Sequence, residues 1–145
     1  MLLNSALLFA QQPFESYKKS IGLALKKSAG IQLEEYEIMH DEQENAEVFI
    51  KEGRGIFKLY IRRVSGRAHK FVFCVLIDNQ NKIRDIQILE YPSDYGIGAT
   101  NKKWLSKFSG KTPGTLVYKK SIDAVSGSTI SATAIVDAIN KLPLK

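Results

Sequence analysis

The chain has 145 residues, 44% hydrophobic and 25% charged, which is the size of one ordinary domain and the composition of a globular one. Twenty-one basic and fifteen acidic residues give a formal charge of +6, which favours anionic partners in general and specifies none. With a single cysteine, Cys74, an intrachain disulfide is excluded, and His40 and His69 lack neighbours at metal-ligand spacing, so neither a metal centre nor covalent haem is expected.

Residues 1–12 begin with the apolar run Met1-Leu2-Leu3-Asn4-Ser5-Ala6-Leu7-Leu8-Phe9-Ala10. It is too short to span a bilayer and lacks the basic residues that open a complete export signal. Two readings stay open, a truncated signal segment and an apolar arm of the domain, which itself is taken as residues 13–145. Phe14, Tyr17, Ile21, Ala24 and Leu25 then share one arc of a helical wheel, opposite Lys18, Lys19, Lys26 and Lys27. This spacing predicts an amphipathic helix that ends at Gly30 and packs its apolar stripe on the core.

A polar, acidic stretch runs from Glu34 to Glu47. Three segments rich in β-branched and aromatic residues follow, at Ile56–Val64, Lys70–Ile77 and Lys82–Tyr91, and predict an antiparallel sheet. Asp78-Asn79-Gln80-Asn81 has turn chemistry and predicts a four-residue hairpin connection, while Ser65-Gly66, flanked by Arg62, Arg63, Arg67, His69 and Lys70, reads as a basic, solvated hairpin tip. Cys74 lies in an apolar run and reads as a small buried hydrophobe. The basic stretches are not interleaved with aromatic residues as in nucleic-acid-binding modules, so no nucleic-acid partner is expected.

The loop Tyr91-Pro92-Ser93-Asp94-Tyr95-Gly96-Ile97-Gly98 precedes a short helix from Thr100 to Phe108, with Thr100 as its cap and Trp104 and Phe108 spaced i,i+4. Gly110, Pro113 and Gly114 break the chain before a predicted strand at Thr115–Tyr118. Next comes Asp123-Ala124-Val125-Ser126-Gly127-Ser128-Thr129, leading directly into a helical run from Ile130 to Leu142 with Ala132, Ile135, Val136, Ile139 and Leu142 on its core face. Small residues at a helix start let backbone N–H groups approach a phosphate closely. The same residues also suit a plain N-cap at Ser126 or Ser128 with Gly127 as a turn. Local sequence leaves both open. Strands framed by an N-terminal and a C-terminal helix give a single α+β unit with a small antiparallel sheet.

The segment Asp123 to Thr129, followed by a helix of small residues, resembles the flavinylation signature Asp-x-x-Ser/Thr-Gly-Ala-Thr of the FMN-binding domain family. That family includes the extracytoplasmic flavin subunits of the Rnf and sodium-pumping NADH:quinone oxidoreductase complexes and many small stand-alone proteins. A strand hairpin, the Gly96-x-Gly98 loop, a Trp104-Leu-x-x-Phe108 segment and the acceptor motif occur in family order, over roughly residues 45 to 142. Ser128 stands where the family usually has Ala, and of the Glu-Thr-Pro-Gly-Leu-Gly loop of the large subunits only the two glycines are kept.

The resemblance implies an FMN joined through its phosphate to the Thr129 hydroxyl, installed from FAD by a separate flavin transferase. It implies phosphate contacts from the N–H groups of Gly127, Ser128 and Thr129, a further hydrogen bond from Ser126, and a recognition or loop-orienting role for Asp123. Gly96 and Gly98 would approach the flavin closely, and Tyr91, Tyr95 and Trp104 are candidates to line its ring. The chain would then be an extracytoplasmic electron carrier, periplasmic or membrane-associated at the cell envelope, with redox partner proteins and a place in a membrane complex. It would be a substrate of the transferase rather than a stand-alone enzyme. The alternative is a non-catalytic interaction domain of the same fold with noncovalent FMN or none.

Overall fold

The computed structural model describes residues 13–41, 45–53 and 55–144. The apolar N-terminal residues 1–12, and with them the choice between signal segment and arm, lie outside the described residues. Helix α1 spans Pro13–Ala29 and ends before Gly30, with Phe14, Ile21 and Leu25 buried along the predicted stripe. Five strands follow: β1 Glu35–Asp41, β2 Asn45–Glu52, β3 Gly55–Ser65, β4 Lys70–Ile77 and β5 Ile83–Glu90. Each pairs antiparallel with its sequence neighbour, giving the sheet order β1-β2-β3-β4-β5. Helical turns at Ile97–Thr100 and Ser106–Phe108 flank the short helix α2, Lys102–Leu105, and α3 spans Thr129–Asn140. The protein is α+β, with an antiparallel sheet between an N-terminal and a C-terminal helix.

The period of two along β4 divides the interior. Phe71, Phe73, Val75 and Ile77 pack with Ala132, Ile135, Val136 and Ile139 of α3 and with Trp104 and Phe108. Val72, Cys74 and Leu76 face the other way, towards Phe14, Ile21 and Leu25 of α1. A strand buried on both faces has to be continuously apolar, and every residue of β4 except Lys70 is buried. The fully buried Cys74 thiol is pushed up to about 12 by loss of solvation, which makes it an inert packing group.

Three local expectations need correction. The polar stretch Glu34–Glu47 holds β1 and the start of β2, so the sheet has five strands rather than three. The connection after β4 takes five residues, 78–82. Asp78 Oδ1 accepts from the N–H groups of Gln80 and Lys82, 2.9 Å each, and Asp78 N–H donates to Lys82 O, which draws Lys82 into the turn. Thr115–Tyr118 forms no strand apart from an isolated bridge between Tyr118 and Ile122. The side chain of Asn140 takes the place of a neighbouring strand there: its Oδ1 accepts from Gly114 and Leu116 N–H at 3.0 Å, and its Nδ2 donates to Leu116 O at 2.8 Å.

Candidate functional site

The approach to α3 is fixed from beneath by two aromatic side chains. Trp104 Nε1 donates to Asp123 O at 2.7 Å, and the Tyr118 hydroxyl accepts from Val125 N–H at 2.8 Å. Trp104 can hold this loop because it sits in the core, edge-on to Phe108 with ring centroids 5.2 Å apart. Its helix is capped by Asn101, whose side chain accepts from Trp104 N–H, and not by Thr100, whose hydroxyl donates to Ile97 O. Asn101 rather than Thr100 has the extended backbone an N-cap needs.

Gly127 turns the chain with φ 70°, and Ser128 occupies the N-cap position of α3. The turn expected at Gly127 is present, but the side-chain cap is not. Ser128 makes no side-chain cap hydrogen bond; its hydroxyl reaches only Ser126 O, at 3.5 Å. The N–H groups of Thr129, Ile130 and Ser131 therefore open the helix with neither intrahelical acceptors nor a capping oxygen. Of the three N–H groups expected to receive a phosphate, that of Ser128 donates instead to Val125 O at 3.3 Å.

The Gly96-x-Gly98 loop lies directly against this junction. A Cβ at Gly98 would sit 2.7 Å from Ser128 Oγ, and one at Gly96 would sit 2.8 Å from Ser131 Oγ and 2.9 Å from Tyr91 Oη. Gly96 also has φ 70°, which side-chain-bearing residues rarely adopt. Here the close approach made by both glycines is to the serines of α3. Tyr91 locks the contact: its hydroxyl donates to Tyr95 O, which leaves Ser131 Oγ as the donor to Tyr91 Oη at 2.8 Å.

What remains open is a cleft of about 250 Å³ lined by Tyr95, Gly96, Gly127, Ser128, Thr129, Ile130 and Ser131, with Arg67 at its edge. Thr129 is exposed, whereas Ser128 and Ser131 are 3% and 1% exposed. Burial therefore separates three hydroxyls that sequence alone does not. Tyr95 and Ile130, 59% and 52% exposed, supply apolar surface beside the donor-rich helix start. Ser126 is exposed on the preceding turn. The Asp123 carboxylate lies outside the cleft and pairs with Lys107 Nζ at 2.8 Å, which holds it below the usual carboxylate range. Trp104 supports the loop without lining the cleft, and Tyr91 lies between the loop and Phe71.

Sequence reasoning missed Arg67, which reads as part of a solvated turn, and Tyr118, which lies in the presumed strand. Their signal is long-range. Only the folding of the β3–β4 tip onto α3 brings Arg67 to this helix start, and no spacing rule encodes that.

The chain belongs to the FMN-binding domain family, whose pattern matches residues 66–142, just over half of its length. No curated protein matches the chain in sequence. FMN is thus the cofactor of this domain. The residues fit it: an uncapped helix N-terminus, hydroxyls and a guanidinium offer only donors to a phosphate, and no carboxylate lines the cleft among the described residues. Beside them, Tyr95 and Ile130 give apolar surface to a ring.

Proposed function

We propose that this domain carries FMN covalently, as a phosphoester on Thr129 Oγ1, and works as an electron carrier. The observation that carries the reading is the exposure of the Thr129 hydroxyl at the first position of an uncapped helix, with its two serine neighbours buried. Attachment replaces the Thr129 O–H by an O–P bond to the FMN phosphorus of FAD, releasing AMP and a proton. A threonine hydroxyl is a weak nucleophile unaided. No carboxylate or imidazole among the described residues lines the cleft to deprotonate it, which supports a separate flavin transferase.

The size of the cleft favours a tether. Sites that enclose a small ligand run to about 300–1,000 Å³, and about 250 Å³ takes in the phosphate end while leaving the ring outside. A ring so exposed is within reach of redox partner proteins, and a covalent bond retains a cofactor that weak enclosure would lose. Bound FMN supplies the redox chemistry; the protein sets its position and surroundings. Retention matters most where free FMN is scarce, so we place the domain outside the cytoplasm, at the envelope, where it serves a membrane redox complex. Among the described residues no helix is long and apolar enough to cross a membrane.

Coexpression with a flavin transferase and intact-mass spectrometry tests the proposal. The mass should rise by one FMN less one water, and Thr129→Ala should remain unmodified while keeping the melting temperature of the parent apoprotein. An unmodified parent chain, or an adduct retained in Thr129→Ala, would overturn it.

A further inference from the structure

Among the described residues Arg67 is the only charged side chain on the cleft, and its surroundings distinguish it from the other arginines near the sheet. Arg62, Arg63 and Arg84 are paired with Glu47, Glu90 and Asp78. Among the described residues Arg67 has no carboxylate partner; its guanidinium lies over the Tyr95 ring, 5.3 Å from the centroid. A guanidinium stacked on an aromatic face keeps its N–H donors in its own plane, free for a planar or tetrahedral oxyanion.

The tip that bears it is held in place. Gly66 N–H donates to His69 O at 2.9 Å, closing the turn, and a Cβ on Gly66 would lie 3.0 Å from Ser131 Oγ. The residue preceding Arg67 thus packs against the first turn of α3. An unpaired cation is thereby stationed beside N–H groups that also lack acceptors. Both attract the same charge, and neither is neutralised by the protein.

We propose that Arg67 is the phosphate-selecting residue of the flavin site: its guanidinium pairs with the FMN phosphate at the start of α3 and makes the cleft prefer phosphorylated flavin to riboflavin. This rests on the assignment of FMN to this cleft. It adds a full charge and a side-chain contact to the weaker preference for phosphate that the helix start supplies. Tyr95 holds the guanidinium in position, so Arg67 acts without support from a carboxylate that would compete with the phosphate.

The full-length chain, made without flavin transferase so that Thr129 is free, is titrated with FMN and with riboflavin at low salt, following flavin fluorescence. A single charge-assisted contact on an exposed site predicts a preference for FMN of about tenfold. Arg67→Gln should lose most of the preference and keep the smaller part that the N–H groups at the start of α3 supply, with riboflavin affinity unchanged, and Arg67→Lys should keep an intermediate preference. Inorganic phosphate should displace FMN from the parent chain and not riboflavin. Since Arg67 is exposed, the variants should keep the parent melting temperature. A preference for FMN that survives undiminished in Arg67→Gln overturns the role of Arg67 and leaves the cleft assignment standing. Equal binding of the two flavins, or of neither, by the parent chain overturns the role of Arg67, whereas the cleft assignment falls only if Thr129 stays unmodified in the coexpression test.

Discussion

On the α1 side of the sheet the core residues are apolar, from Phe14, Ile21 and Leu25 to Val72, Cys74 and Leu76, with the buried oxygens of the Asp41 carboxyl only at its edge. On the α3 side the same sheet meets a different kind of layer. Ser128 and Ser131, the two polar residues buried as a whole among the described residues, both lie there, with glycines pressed against their hydroxyls and tyrosines pinning the adjoining loops. Bulk holds one face together and close backbone approach the other. Bulk tolerates repacking, whereas a site whose glycines leave no room for a Cβ does not. Losses on the α1 side should therefore be read in stability alone, and losses on the α3 side in stability and flavin together.

The largest effect is expected from truncating the two cores. Leu25→Ala and Ile135→Ala should each cost about 3 kcal/mol in denaturant unfolding, because both side chains are almost fully buried. Only Ile135→Ala should lower the flavin content of the protein that remains folded. Equal flavin content in the two variants would break the division of labour. A smaller loss, about 2 kcal/mol, should follow Gly98→Ala, where the new methyl meets Ser128 Oγ at 2.7 Å. Adding Ser128→Ala should recover part of it. The recovery should be incomplete, because Val125 Cγ2 is 3.0 Å away on the other side, and a double-mutant cycle measures the coupling directly.

The smallest effect concerns Asp41, at the end of β1 beside the start of α1. Burial pushes its carboxyl up to about 6, with Glu15 adding to the rise and the Phe14 backbone and His40 opposing it. An acid whose pKa is raised on folding holds its proton more firmly in the folded chain. Between its ordinary value of 3.8 and about 6 the folded state therefore binds more protons than the unfolded state. Its contribution is fully present below this window and is lost as pH rises through it. Asp41→Asn should raise the melting temperature at neutral pH and give no gain below about pH 4. A gain that does not change with pH would assign the effect to packing instead of charge.

Those parts of the fold whose cause is local are visible in the sequence. Phe14, Ile21 and Leu25 mark α1, Ala132 to Ile139 mark the face of α3, and Asp78 announces the turn between β4 and β5. β1 escapes because it is an edge strand whose side chains are mostly exposed: the alternation Glu35-Tyr36-Glu37-Ile38 is short, sits in an acidic stretch and breaks at Met39, where the pairing register shifts. The false strand at Thr115–Tyr118 has the opposite cause: Leu116 and Tyr118 pack on the core, but Asn140 satisfies the backbone that a ladder would have used. At the site, the Gly-x-Gly loop and the residues around Thr129 are legible as a motif. The burial of Ser128 and Ser131, the lock at Tyr91 and the arrival of Arg67 depend on contacts between distant segments.

The position of β4 also bears on where the chain can be cut. The family pattern starts at Gly66, after β3 has ended, and takes in every residue that lines the cleft. A fragment beginning there would keep the whole site and still lose the strand that pairs with β4 from Lys58↔Ile77 to Ser65↔Lys70. Eight residues, nearly all apolar, would then present an unpaired edge, and such an edge recruits the same strand from other copies. Residues 13–65 supply none of the described lining of the cleft, but β3 among them covers this apolar strand edge.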